Sequence, residues 1–418
     1  MRLGPNAARS DFWEPLAPCN LSVYRSNFNM PETVARPYHV ARITALLRQF
    51  PVVAVLGARQ VGKTTLAHQV AARRRGRATM FDLEDTEDLA RLSDPLAALR
   101  LERGLVVIDE VQRLPDLFRT LRVLVDEPGN GRRFLVLGSA VPELLRQGSE
   151  TLAGRIAYHQ LDGFRLDEVG VQRRSRLWLR GGFPKAFLAR SDAESHQWRE
   201  EFIRTFLERD IPQFGLRIPA PALRRFWIMI AHYHAQTWNG SELARAFGVA
   251  QTSVRRYLDV LTETFMVRQL APWHANLSKR QVRSPKVYLR DTGLLHSLLG
   301  VHTARDLEGH PKVGASWEGF ALGAVLDRLG ARAGEAYFWA THAGAELDLL
   351  VVRGGTRLGF EFKRTSAPTV TPSMRTALAD LQLQRLDVIH GGTGTFPLGD
   401  RIRAVPLDRV LTDVAALR

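Results

Sequence analysis

The sequence predicts an α/β protein in which a parallel sheet, covered by helices on both faces, is followed by a helical connector, a winged helix-turn-helix and a smaller α/β unit. Three observations predict this. Four short apolar runs between residues 52 and 140 alternate with helical periodicity. Around Gly248, two short helical patterns meet at a turn and a strand follows. Beyond residue 300, a helical pattern leads into strand-like runs and a further helix.

At 418 residues the chain exceeds what one core accommodates, and 45% hydrophobic against 24% charged residues excludes disorder as its main state. The formal charge of +15, carried nearly all by Arg, suits a polyanionic partner such as DNA, although Arg richness alone defines no site. A single cysteine, Cys19, excludes an intramolecular disulfide and a thiolate cluster, and predicts a cytoplasmic protein. With no run of about eighteen apolar residues and no signal-like start, neither membrane insertion nor export is expected.

Residues 1–36, rich in Pro, Asn and Ser, read as an irregular arm. The first domain is expected over 37–165: a helix from Tyr38 to Phe50, then strands at VVAVLGA, TMFDLE, LVVIDE and RRFLVLGSA. A charged helical connector follows over 166–220, and the winged helix-turn-helix over 221–285. The remaining unit, 286–418, holds a helix at about 316–330, strands at YFWAT, ELDLLVV and RLGFEFKR, and another helix.

The stretch GARQVGKTT fits G-x-x-x-x-G-K-[ST] and lies between a strand and a helix, where that motif must lie. Gly57, Ala58, Arg59, Gln60, Val61, Gly62, Lys63, Thr64 and Thr65 would wrap the phosphates of ATP: the glycines free the backbone, Lys63 reaches the outer phosphates and Thr64 ligates magnesium. Asp109, ending the LVVIDE strand beside this loop, is the expected outer magnesium ligand, and Glu110 the carboxylate that polarises the attacking water. Ser139 ends a further strand as either a phosphate contact or a strand cap. Arg155 is either an arginine finger reaching a neighbouring subunit or a solvated side chain.

In the helix-turn-helix, Gln251, Thr252, Ser253, Arg255 and Arg256 open the second helix, where they would meet bases and phosphates of DNA; docking to protein is the alternative. In the terminal unit, Glu346 and Asp348 share one strand face by period two, Glu361 and Lys363 share the next, and Glu318 lies on the preceding helix. If they converge, Asp348 and Glu361 would hold a metal ion while Glu318 and Lys363 complete a catalytic set; the alternative is a solvated strand pair. His232 and His234 have no metal-site spacing and read as packing or surface residues.

The segments GARQVGKTTL, VVIDEVQRLP, FLVLGSA and LAGR, followed by KVYLRDTGLL and EFK, resemble in kind and order the prokaryotic AAA-type ATPases that carry a C-terminal domain of unknown function. The resemblance covers the chain from about residue 40 onward and implies an ATPase domain, a winged helix and a nuclease-like terminal domain. The terminal spacing is similar to the PD-(D/E)xK nucleases: Glu318 matches the helix acid, Asp348 the central aspartate, and Glu361 with Lys363 the E-x-K pair. Two departures stand out. Ala140 replaces a second hydroxyl, and Glu-Leu-Asp replaces Pro-Asp. The expected function is ATP hydrolysis coupled to a DNA-binding, nuclease-like half; the alternatives are an ATP-switched regulator or scaffold with an inactive nuclease core, and a partner in a toxin or defence system, with a homo-oligomer or another protein engaged.

Overall fold

The computed structural model describes residues 33–129, 131–139, 150–213, 218–274, 282–332 and 334–417. Cys19, most of the expected arm and Ala140 lie outside the described residues. Five strands, β1 (Val52–Gly57), β2 (Ala78–Asp82), β3 (Leu105–Asp109), β4 (Arg133–Ser139) and β5 (Ile156–Gln160), form a wholly parallel sheet in the order β2-β3-β4-β1-β5.

Strand periodicity sends alternate side chains to two cores. Val53 and Val55 of β1 pack with Ile43 of the helix Pro37–Gln49 and with Leu66 and Val70 of the helix Lys63–Ala72, whereas Val52 and Leu56 pack with Leu117 and Leu121 on the other face. Both faces of β3, β4 and β1 are covered, which is why these strands appear in the sequence as unbroken apolar runs. The fifth strand, β5, is an addition to the four expected. At the sheet edge it leaves Tyr158 and Gln160 exposed and buries His159, so no apolar run announces it.

The connector holds short helices and the helix Asp192–Thr205, which passes directly into a π-helical turn, Phe206–Asp210. After the helix Ala220–His232 come β6 (Gln236–Thr237), the helices Gly240–Phe247 and Gln251–Glu263, and a ribbon of β7 (Val267–Pro272) and β8 (Lys286–Leu289). Gly248 joins the two helices at φ 72°, a left-handed position that suits glycine.

This ribbon merges with the terminal unit. β7 pairs antiparallel with β8 and parallel with β9 (Ala336–Ala340). With β10 (Glu346–Arg353), β11 (Thr356–Lys363), β12 (Arg385–His390), β13 (Phe396–Gly399) and β14 (Ile402–Pro406), they build a nine-stranded sheet in the order β13-β14-β12-β11-β10-β9-β7-β8-β6. The sheet therefore runs across residues 285 and 286. The helix Val313–Leu329 covers one face through Ala321, Val325 and Leu329, packed with Phe338, Leu349 and Phe360. On the other face, the helix Pro372–Asp380 sets Met374 and Ala377 against Leu347, Leu350 and Val388, and it carries the chain from β11 to the parallel strand β12.

Candidate nucleotide site and terminal carboxylate cluster

The loop after β1 is shaped by what cannot fit there. A Cβ on Gly57 would lie 2.2 Å from the carbonyl oxygen of Leu161, so no larger residue is accommodated. Gln60 (φ 62°) and Gly62 (φ 98°) turn the chain through left-handed conformations, and the helix Lys63–Ala72 starts at once, its free N–H groups facing the loop. Ala58 and Val61 are buried in the core, leaving their backbone to line the loop.

Lys63 is 5% exposed, and its ammonium donates to the carbonyls of Gly57 (3.2 Å) and Ala58 (3.0 Å). Burial lowers its pKa, opposed by the charges of Glu110 and Asp109. A buried ammonium resting on neutral carbonyls is suited to an anionic ligand. Thr64 Oγ1 donates to Asp109 Oδ2 (2.5 Å), and Asp109 Oδ1 accepts from the Glu110 N–H (2.8 Å). This hydroxyl and carboxylate fit a magnesium ion bound with nucleotide; Thr64 and Asp109 would hold it, and it would neutralise phosphate charge.

Glu110 adopts φ 52°, uncommon for a residue other than glycine, and its side chain is held by Gln112. Strain of this kind collects at functional positions. Burial raises the Glu110 pKa against the pull of Lys63, as it raises that of Asp109 against the hydrogen bond from Thr64. Ser139 is the register partner of Gly57, which brings the end of β4 alongside the loop. Arg59 leaves the loop towards the π-helical turn, donating to Asp210 (2.7 Å), and also bonds Glu84 (3.1 Å). Arg155 is tied within its own chain, making paired bonds of 2.7 and 3.0 Å to Asp126.

Gln251, Thr252, Arg255 and Arg256 are exposed on the helix Gln251–Glu263, with Ser253 half-buried. They line an open depression together with Asp259 and Glu263, and Arg255 pairs with Asp259 at 3.0 Å. This face carries both signs of charge.

The terminal carboxylates do come together. Lys363 Nζ lies 2.9 Å from Glu361 and 3.9 Å from Asp348, and Asp348 accepts the Phe362 N–H (3.1 Å). Two residues absent from the sequence reading complete the group. Lys286 of β8 reaches Glu318 (3.5 Å), Asp348 (3.4 Å) and Glu346, and Tyr288 donates to Glu318 (2.7 Å). The alternation in KVYL, with Lys286 and Tyr288 on one face and Val287 and Leu289 on the other, is the signal that could have found them.

Burial, reinforced by the Asp348 charge, raises Glu318 to about 7 and Glu361 to about 8. Burial pulls Lys286 down, but Tyr288 and the carboxylates outweigh it and push the pKa well up. Lys286 and Tyr288 share one oxygen of Glu318, and Lys363 holds one oxygen of Glu361, so two ammonium groups and a tyrosine hydroxyl partly satisfy these carboxylates. Among the described residues, no group of three or more His, Cys, Asp or Glu is arranged to hold a metal. In this arrangement the space between Glu318, Glu346 and Asp348 is taken by the Lys286 ammonium, and Lys363 lies between Asp348 and Glu361. His234 is buried and accepts the Leu289 N–H (3.0 Å), a packing role.

Among the described residues, no helix is long and apolar enough to cross a membrane. A family model described as an AAA domain matches residues 49–170, and two domains of unknown function match beyond it, DUF8612 over 171–305 and DUF4143 over 313–410. Uncharacterized proteins of Mycobacterium bovis and Mycobacterium tuberculosis are each 52% identical over 374 residues, covering 89% of this chain and 83% of theirs. Among solved structures, a Walker-type ATPase of Pyrococcus abyssi matches with TM-score 0.43 and 14% identity, over 64% of this chain and 96% of that one. The Holliday junction branch migration motor of Thermotoga maritima matches with TM-score 0.27 and 17% identity, over 56% and 90%. Likeness at that level bears on no function. The P-loop geometry and the matched domains agree, and the chain belongs to the family of these mycobacterial proteins, with an AAA-type P-loop ATPase domain followed by DUF8612 and DUF4143 domains.

Proposed function

We propose that the protein is an ATP-hydrolysing switch whose nucleotide state sets how its helix-turn-helix and terminal half engage DNA. The observation that carries this reading is the pairing of Thr64 with Asp109 beside a buried Lys63 whose hydrogen bonds, among the described residues, go to neutral carbonyls. Lys63 and the loop backbone bind the phosphates, Ser139, the register partner of Gly57, contacts the outer one, and Glu110 orients the attacking water; the register and the left-handed Glu110 support these roles. The Arg59–Asp210 bond offers a route from the loop to the connector, because a π-helical turn is a favoured place for a helix to yield.

DNA is the partner that the charge of +15 and the exposed Gln251, Thr252 and Arg256 favour. A switch that does not cut DNA is preferred over a metal-dependent nuclease because Lys286, a cation outside the E-x-K pair, already sits among Glu318, Glu346 and Asp348. Phosphate release by the purified full chain, with magnesium and with or without duplex DNA, tests the reading. Steady release that is lost in Lys63→Ala supports it; wild type without release under any condition refutes hydrolysis.

A further inference from the structure

The carboxylate cluster is closed by the ribbon that follows the helix-turn-helix. Lys286 and Tyr288 leave one face of β8, a strand of the helix-turn-helix ribbon, and meet Glu318 on the helix Val313–Leu329 and Asp348 on β10. Lys286 is 4% exposed, and its ammonium contacts three carboxylates, Glu318, Glu346 and Asp348. The packing behind it is tight. A Cβ on Gly319, beside Glu318, would lie 2.3 Å from His234 Nε2, and His234 Nδ1 accepts the backbone N–H of Leu289 on the same strand.

We propose that Lys286 is the resident cation of this cluster: its ammonium stands where a divalent metal would stand among Glu318, Glu346 and Asp348, and keys the terminal unit to the ribbon. An ammonium offers three N–H donors, matching the three carboxylates around it. Without that donor the carboxylates would face one another across the space it leaves, an arrangement that either repels or takes up a divalent ion. Nothing in this assignment draws on nucleotide turnover, so it stands or falls apart from the ATPase reading.

The test is Mn²⁺ uptake by the nucleotide-free full chain, followed by paramagnetic resonance of the free ion, in wild type and Lys286→Met and in each combined with Asp348→Asn. Wild type is expected to show no Mn²⁺ site that Asp348→Asn removes, whereas Lys286→Met gains one. In EDTA, Lys286→Met should melt lower by roughly 5 °C or more, and added Mn²⁺ should recover the loss. A wild-type Mn²⁺ site abolished by Asp348→Asn overturns the proposal, as does a folded Lys286→Met chain with no new site. If Lys286→Met folds only when Mn²⁺ is present, the proposal is supported; if it fails with and without Mn²⁺, the proposal is overturned.

Discussion

Two buried lysines in this molecule, Lys63 and Lys286, sit close to carboxylates, and they are held in opposite ways. Lys63 is buried, yet among the described residues its ammonium bonds to the carbonyls of Gly57 and Ala58, while Asp109 is engaged by Thr64 and by backbone. Lys286 is equally buried, yet every contact of its ammonium given above is to a carboxylate. The first site keeps a cation in reserve for an anion that arrives; the second has spent its cation on its own acids. Motif residues alone do not distinguish a site prepared for a ligand from one that is internally neutralised, but the partner of the ammonium does.

The largest effect that could break this contrast lies at Glu110. If it orients water, Glu110→Gln should lower kcat for ATP by about 10²–10⁴ while leaving nucleotide affinity intact. Equal phosphate release by mutant and wild type would remove that role. Next comes Lys63→Ala, which deletes a charge-assisted contact of about 1.5–3 kcal/mol and should weaken Mg-ATP binding roughly 10–150-fold by calorimetry. Lys363→Ala, in the neutralised cluster, should leave that affinity unchanged; a parallel loss would mean that the two sites behave as one.

Acid should separate the two regions by sign. In the first region, His39 Nδ1 and His159 Nε2 lie 2.8 Å apart in the core, and burial foremost lowers their pKa values to about 2 and about 4. Below an unfolded pKa of 6.5 the unfolded chain binds the proton and the native chain does not, so stability falls with pH from 6.5 towards 4. For His159 alone this amounts to about 3 kcal/mol. Glu318, raised to about 7, has the opposite sign: the native chain holds its proton while the unfolded chain loses it, so stability rises as pH falls from 7 towards 4.5. In urea titrations at pH 7 and pH 4.5, His159→Gln should therefore shrink the acid loss and Glu318→Gln should enlarge it. Changes of the same sign in both variants would contradict the contrast.

The P-loop was legible because its chemistry is contiguous: Gly57 to Thr65 carry the turn, the cation and the hydroxyl within one stretch. The central strands were legible because burial on both faces leaves unbroken apolar runs, whereas the edge strand β5 buries little and shows no such run. Period two also brought Asp348, Glu361 and Lys363 to one place. Lys286 escaped because its partner Asp348 is 62 residues away and its strand has only four residues. Burial of a lysine depends on what the fold places opposite it, and no local pattern records that.

The smallest expected effect concerns the helix Gln251–Glu263, proposed to meet DNA, where the contrast becomes one between an exposed cation with no described ion pair and one already paired. Arg256 has no described ion pair, whereas Arg255 is bonded to Asp259 at 3.0 Å and must release it to meet a phosphate. Each phosphate neutralised contributes about 0.9 to the slope of log affinity against log salt on duplex DNA. Replacing both arginines by Ala should then flatten the slope by about 1.8 if both contact phosphate, or by about 0.9 if Arg255 stays with Asp259. Arg256→Ala alone, measured by anisotropy with a labelled duplex between low and physiological salt, distinguishes these cases. A full loss from that one substitution means that Arg255 contributes nothing and that the helix binds through one cation. An unchanged slope in the double variant would move the DNA contact off this helix, and the mixed charge of its face, with Asp259 and Glu263 beside the arginines, would then mark it as a surface for protein.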